Sequence, residues 1–240
     1  MKEHELKFYN NLGTTKAKLI TKYPYGKFQI VTKDGVWCDA KVSPFIQHYD
    51  LKIDSEFLDM EVLYIGQSYG VDGARTAPDR LRNHSTLQGI YAEAISNNPD
   101  SEIWLALASF EQINMMVMHG NTKYTDDELE EDKKRQKLVN DKLNWEGINE
   151  QQKINFTEAS LIRYFQPPYN KIYKDSFPSP AHKTYSECYE LDINAVVIEM
   201  HTSEMINCRM FSETIAKSNS HHKRFLLNSV EERKSMFDFS

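Results

Sequence analysis

Cysteine is scarce in this chain: three residues in 240, Cys38, Cys188 and Cys208, scattered and odd in number. No pair has the close spacing of a zinc ribbon or a redox motif, and no disulfide framework is indicated. That usage fits a reducing, cytoplasmic setting. Long apolar runs are missing as well. The longest, Ile103 to Phe110 and Ile193 to Met200, have strand length, far short of the roughly 18 residues a membrane span needs. The start, Met1-Lys2-Glu3-His4-Glu5, is charged with no apolar region behind it, which argues against a secretory leader. Positive charge is also in deficit. Twenty-nine Lys and Arg face 35 Asp and Glu, a net charge of -6. A nucleic-acid binder usually needs a basic surface, so any such role must come from how the charge is distributed. The hydrophobic content of 40% is enough for a packed core in one large domain or a core with additions.

Distribution is indeed uneven. Residues 1–41 hold eight Lys against four acids. Strand-like runs at Ala17 to Thr21, Lys27 to Thr32 and Val36 to Val42 are separated by turn signals at Tyr25-Gly26 and Lys33-Asp34-Gly35. Asp34-Gly35 suits a tight hairpin, because glycine takes positive φ cheaply. Lys16, Lys18, Lys22 and Lys27 alternate with Tyr23, Tyr25 and Phe28. Such a sheet is suited to a phosphate backbone; the plainer account is a Lys-rich solvated face that blunts sheet edges. Residues 43–60 read as a connector, with Pro44 and Asp50 as breakers.

Glu61 to Ser68 reads as a strand, with Val62, Leu63, Tyr64 and Ile65 nearly continuous in apolar character. Gly66 ends it and allows a close backbone approach. A capping box, Thr76-x-x-Asp79 with Pro78 in the first turn, opens a helix expected to run to about Asn97. Arg80 and His84, four apart, share one face of it. An Arg in the first turn opposes the helix dipole. Ser101 to Glu111 reads as a further strand. Thr125-x-x-Glu128 is a second capping box, opening a helix from Asp126 to about Trp145, with Glu130/Lys134 and Glu131/Arg135 as supporting pairs. Asn155-x-x-Glu158 reads as a helix start, Leu161, Ile162 and Phe165 as its buried stripe, and Pro167-Pro168 as its stop. Beyond it, Phe177-Pro178-Ser179-Pro180 reads as a linker. Glu190 to Glu199 and Met205 to Phe211 read as two strands of a hairpin, and His221 to Phe237 as a last helix. The adjacent His221 and His222 read as surface.

Each of these residues has an ordinary explanation. Tyr64 is a half-buried strand tyrosine, Glu158 a residue favoured near a helix N-terminus, Asn170 a turn residue. Their joint order is less ordinary. Tyr64-Ile65-Gly66, then Arg80-x-x-x-His84, then Glu158 with Gln166-Pro167-Pro168-x-Asn170 resembles the GIY-YIG nuclease family over roughly residues 61–173. The family's first strand carries Gly-Ile-Tyr shortly before Tyr-Ile-Gly, and no such triplet stands here. Trp37, in Gly35-Val36-Trp37, and Tyr49 are the candidates for that missing tyrosine.

The resemblance implies an α/β (α+β) fold. A small core with a central three-stranded antiparallel sheet flanked by helices would occupy residues 61–173, with a helical insertion at about 112–154. A β-rich N-terminal region (1–60) and an α+β C-terminal extension (174–240) would flank it. It further implies a divalent-metal-dependent endonuclease acting on DNA. Glu158 would ligate Mg²⁺ (or Mn²⁺), which prefers oxygen and keeps several waters. The metal would polarise the phosphate. Arg80 would hold the phosphate as charge builds. Tyr64 and His84 would orient or activate water, and Asn170 would position the site. Lys16, Lys18, Lys22, Lys27, Arg82 and Lys171 are the expected DNA contacts. The flanking elements resemble restriction or anti-phage defence nucleases, acting as a homodimer or with a defence-system partner protein and without a membrane. The alternative is a catalytically inactive nucleic-acid-binding or partner-docking module of the same fold.

Overall fold

The computed structural model describes residues 16–48, 58–67, 85–111, 113, 123, 125–141, 150–177, 195–202 and 208–227. It is a mixture of helices and strands. The N-terminal strands form where alternation and turn residues place them: β1 (Lys18–Thr21), β2 (Lys27–Thr32) and β3 (Gly35–Lys41). They make a three-stranded antiparallel sheet in the order β1-β2-β3. Gly35 has φ 121°, a conformation that costs an L side chain dearly and glycine little. The connector beyond β3 is partly helical, α1 (Val42–His48). Pro44 sits in its first turn, where a missing N–H breaks no helical bond. Phe45 of α1 is buried and meets Phe28 of β2 edge-on at 5.0 Å.

Next come β4 (Met60–Glu61), α2 (Ser85–Asn97), α3 (Asp126–Asn140) and α4 (Glu150–Phe165). The chain closes with β5 (Ala195–His201), β6 (Met210–Phe211) and β7 (Ser220–Leu226). The capping box of α3 forms as its sequence dictates. Thr125 Oγ1 accepts from the Glu128 N–H at 3.4 Å, and the Thr125 N–H donates to Glu128 Oε2 at 2.8 Å. The charged face of α3 pairs Glu130 with Lys133 at 2.8 Å.

Helix α4 organises the interior. Its Phe156, Ala159, Leu161 and Phe165 join Val62, Phe177, Ile198, Phe225 and Leu227 in one cluster. Residues on several sides of α4 are buried together: Ala159 and Ser160 fully, Leu161 and Ile162 nearly so. A helix that is apolar on more than one face belongs in the middle of a core rather than on its surface. Phe177 meets Phe156 and Phe225 edge-on, each at 5.2 Å. It is therefore a core residue that joins α4 to β7; Pro178-Ser179-Pro180 of the expected linker lie outside the described residues.

Several expectations meet a different outcome. The expected hairpin of β5 with residues 205–211 is replaced by an antiparallel ribbon of β5 with β7, from Ala195↔Leu226 to His201↔Ser220. Strand β6 instead pairs in parallel with β4, Met60↔Met210 and Glu61↔Phe211. The helix expected from His221 is, as far as Leu226, strand β7, and the rest of that span lies outside the described residues. The buried residues of the run, His221, Phe225 and Leu227, are spaced by even numbers with Lys223 between them exposed, which fits the period of a strand. The strand expected at 101–111 makes no ladder among the described residues, and Trp104, Leu105, Leu107 and Phe110 are exposed. An apolar run signals a wish for burial but does not name its partner. Among the described residues, no helix is long and apolar enough to cross a membrane.

Candidate functional site

The chain from Val62 to Gln67 continues β4 but leaves the sheet almost at once. Val62 donates to the Phe211 carbonyl at 2.9 Å, and among the described residues no strand flanks the next ones. Their backbone groups find other partners. The Leu63 carbonyl accepts from the Tyr169 N–H at 3.2 Å. Asn170 takes both polar groups of Ile65: its Oδ1 accepts from the Ile65 N–H at 2.9 Å, and its Nδ2 donates to the Ile65 carbonyl at 2.8 Å. Glu158 Oε1 accepts from the Gln67 N–H at 3.2 Å. Leu63, Ile65 and Gln67 alternate, so in an extended chain their backbone groups face one side. The Asn170 amide carries one donor and one acceptor in the spacing of a peptide group, and so stands in for a neighbouring strand. Beyond β4, the strand expected over 61–68 is thus bound by the Asn170 and Glu158 side chains and the Tyr169 backbone as far as Gln67, and Ser68 lies outside the described residues.

The turn that presents Asn170 follows from local sequence. Helix α4 ends at Phe165, and Gln166 takes φ 53°, the left-handed cap conformation that glycine more often supplies. Its side-chain Nε2 offsets that strain by donating to the Arg163 carbonyl at 2.8 Å and the Lys174 carbonyl at 2.6 Å. Arg163 reaches the same Lys174 carbonyl and pairs with Asp175 at 3.2 Å. Pro167 and Pro168 then forbid further helix. Asn170 is buried, so its clamp on Ile65 is sheltered from competing water.

Helix α4 begins at Glu150, earlier than Asn155-x-x-Glu158 predicted. Asn155 is therefore no cap: it is buried within the helix, and its Oδ1 accepts from Gln151 Nε2 at 2.9 Å. Glu158 lies beyond the second turn, away from the favourable end of the dipole, so the helix-start explanation for it falls. Gln151, Asn155 and Glu158 follow the i, i+4, i+7 spacing that places them on one face. Gln151 also donates to Gln67 Oε1 at 3.0 Å, so this face grips Gln67 through both side chain and backbone. Gln67 and Gln151 were not singled out from sequence, and Asn155 only as a helix start. The polar i, i+4, i+7 row ahead of a buried stripe was the available signal.

Tyr64 is half-buried, and its ring lies over Gly66. A Cβ at residue 66 would stand 2.8 Å from Tyr64 Cε1 and 3.1 Å from its hydroxyl oxygen. The close approach expected at this glycine is thus made by the tyrosine two residues before it. Helix α2 reaches the same corner. The Tyr169 hydroxyl is pushed above its ordinary pKa by loss of solvent and by the Glu93 carboxylate, to which it is hydrogen-bonded. Tyr64, Glu158 and Asn170 are therefore brought together from positions about a hundred residues apart. Lys171 is exposed one residue beyond Asn170. Arg80, Arg82 and His84 lie outside the described residues, as does Tyr49; α2 is described from Ser85, the residue after His84. Lys16, Lys18, Lys22 and Lys27 are exposed on or beside the N-terminal sheet.

Behind the site, Asp59 fastens β4 to the C-terminal strands. Its carboxylate receives Arg209 through two bonds, 2.8 and 2.9 Å, and Lys217 at 2.9 Å. Burial opposes its charge, but the hydrogen bonds and charges of the two cations outweigh that and hold its pKa below the usual carboxylate range. Comparison with known proteins adds no relative: no family model, no curated protein and no solved structure matches the chain.

Proposed function

We propose that this protein is a divalent-metal-dependent endonuclease of GIY-YIG type, hydrolysing DNA phosphodiester bonds in restriction or anti-phage defence. In this reading residues 61–173 form the nuclease core. The observation that carries it is the joining of Tyr64-Ile65-Gly66 to Glu158 and Asn170 through the two Asn170–Ile65 bonds and the Gln67–Glu158 bond. The motif residues are far apart in sequence, and ordinary capping or turn roles do not require them to meet. The donor chemistry fits Mg²⁺, which takes carboxylate oxygen and retains water and substrate oxygens, so a single carboxylate serves. Glu158, only partly buried, would hold it. Bound there, the metal would supply Lewis-acid polarisation of the phosphate.

The chain's own residues do the rest. The Gln67 N–H and the row behind it orient Glu158. Asn170 fixes Ile65 after Tyr64 and the Tyr169 N–H holds the Leu63 carbonyl before it, and the Tyr64 hydroxyl would hold the attacking water. Arg80 would bind the phosphate as charge builds and His84 would take up the water's proton. The second reading, a catalytically inactive nucleic-acid-binding or partner-docking module, draws on the engagement of Glu158 Oε1 by Gln67 and on the segment 101–111, which makes no ladder among the described residues.

Supercoiled plasmid and phage DNA, incubated with Mg²⁺ or with EDTA, separate the two. The nuclease reading expects metal-dependent cutting that falls by roughly a hundredfold or more in Glu158→Ala, with DNA binding retained. Arg80→Ala should lose cleavage far more than binding. Cutting unchanged in Glu158→Ala, or none by the wild type, sinks the catalytic reading.

A further inference from the structure

Charge in this chain is segregated by more than its total suggests. Residues 16–41 carry six lysines and two aspartates, a local +4 in a protein of net charge -6. The sheet β1-β2-β3 concentrates that surplus on one face. Its other face meets α1, where Phe28, Cys38 and Ala40 are half-buried and Phe45 packs on Phe28. By alternation, the outer face carries Lys27, Lys41 and Lys18, with Lys27 directly opposite Lys41 and Lys18 opposite Val31. The acid on this face, Asp39, accepts from Gln29 Nε2 at 2.9 Å.

Large rings stand exposed among these lysines. Trp37 is 44% exposed, Tyr25 51% and Tyr23 61%. The two tyrosines meet edge-on at 5.8 Å in the β1–β2 turn. Trp37 sits where the β2–β3 register shifts, beside Val31 and Val36. From Lys27 to Val31 the rise of a strand gives roughly 14 Å, so the tyrosine turn and Trp37 stand near opposite ends of β2. Tyr25 also adopts φ 63°, tied by its N–H to the Lys22 carbonyl at 2.7 Å. That region is unfavourable for a bulky side chain, and glycine or asparagine would occupy it more cheaply. Tyr25 packs edge-on against Tyr23, which is hydrogen-bonded to the Asp100 carboxylate, and still leaves half its surface exposed.

We propose that the outer face of the N-terminal sheet is a stacking platform for single-stranded nucleic acid, with Trp37 and Tyr25 receiving unpaired bases and Lys18, Lys27 and Lys41 their phosphates. The charge complementarity selects a polyanion. The rings select one with open aromatic faces, since base–aromatic stacking is sequence-tolerant. In a duplex those faces are covered by neighbouring base pairs, so the platform discriminates against it. The proposal shares with the nuclease reading only the class of partner and stands apart from the Glu158 site.

The test is fluorescence anisotropy of labelled oligothymidine of about fifteen nucleotides, bound to full-length Glu158→Ala protein so that cutting cannot interfere. A duplex of equal length and poly-glutamate serve as competitors. The strand should bind at least about tenfold tighter than the duplex, and Trp37→Ala or Tyr25→Ala should weaken it by about tenfold or more. Trp37→Phe should retain most of the affinity. Lys27→Ala combined with Lys41→Ala should reduce the slope of log affinity against log salt by about 1.4. All four positions are exposed, and circular dichroism checks that each variant is folded. Duplex bound as tightly as the strand, no loss in either aromatic-to-alanine variant, or displacement by poly-glutamate at equal charge overturns the proposal. Plasmid cutting by the wild type is scored separately. Absent cutting with intact strand binding removes the nuclease reading alone, and intact cutting without strand binding removes the platform alone.

Discussion

Single side chains replace structural elements in the candidate site. The Asn170 amide does for Ile65 what a neighbouring strand would do. Asn170→Ala strips both partners from a sheltered peptide unit, and leaving such groups unsatisfied costs about 1–3 kcal/mol each. A loss of roughly 2 kcal/mol or more in urea unfolding is expected; a loss within about 0.5 kcal/mol, the scale of a surface change, would show that water replaces the clamp. Gly66 tests a different quality. A methyl group there would displace the Tyr64 ring, which is the movable end of a side chain, so the fold should survive. Gly66→Ala is expected to keep most of its stability, within about 1 kcal/mol, while losing cleavage. Full activity in that variant would remove the Tyr64 ring position from the mechanism.

At the scale of elements, the ribbon β5–β7 places a histidine where the core needs an uncharged group. His221 is 2% exposed. It lies against Phe165 at 5.0 Å, with its Nδ1 3.1 Å from the Tyr164 hydroxyl and its Nε2 3.0 Å from the Ser218 carbonyl. The carbonyl can only accept, so Nε2 carries the proton and the Tyr164 hydroxyl donates to Nδ1. Burial lowers the pKa of His221, and its hydrogen bond to the Ser218 carbonyl only partly opposes this. A histidine with a lowered folded pKa takes up more protons when unfolded. Stability is therefore full above the ordinary histidine value of about 6.5 and declines as pH falls below it toward the lower folded value. Urea midpoints should drop between pH 8 and pH 5.5 in the wild type, and drop less in His221→Gln; parallel curves would overturn this assignment.

At the scale of the whole molecule, the cluster around α4 and the Asp59 ion group are among the places where segments distant in sequence are fastened. Asp59 has a side chain only 2% exposed, while Arg209 and Lys217 retain contact with solvent. Removing the carboxylate leaves cations that water can still reach, so the loss is smaller than for a fully buried pair. Asp59→Asn is expected to cost about 2 kcal/mol near neutral pH. Because its folded pKa is lowered, this contribution is present above the ordinary carboxylate range and is lost as pH falls through the lowered value. The difference between wild type and Asp59→Asn in urea unfolding should therefore shrink in strong acid; a constant difference would show that packing, not charge, is lost.

What the sequence determined by itself is local. The first three strands and the Asp34-Gly35 turn, the capping box at Thr125, the buried Leu161, Ile162 and Phe165, and the stop at Pro167-Pro168 each depend on a few neighbouring residues. Backbone sterics, caps and side-chain periodicity act over that range. The meeting of Glu158 and Asn170 with the Tyr64 stretch was expected only through their order along the chain. Tertiary structure decided the remainder: β7 rather than a final helix, β5 paired with β7 and β4 with β6, His221 inside, and Gln67 gripped by Gln151 and Glu158. A strand's period states which face it buries but not which strand it will join. That choice rests on hydrogen bonds and packing between residues from 19 to 150 positions apart, whose competition no local window contains.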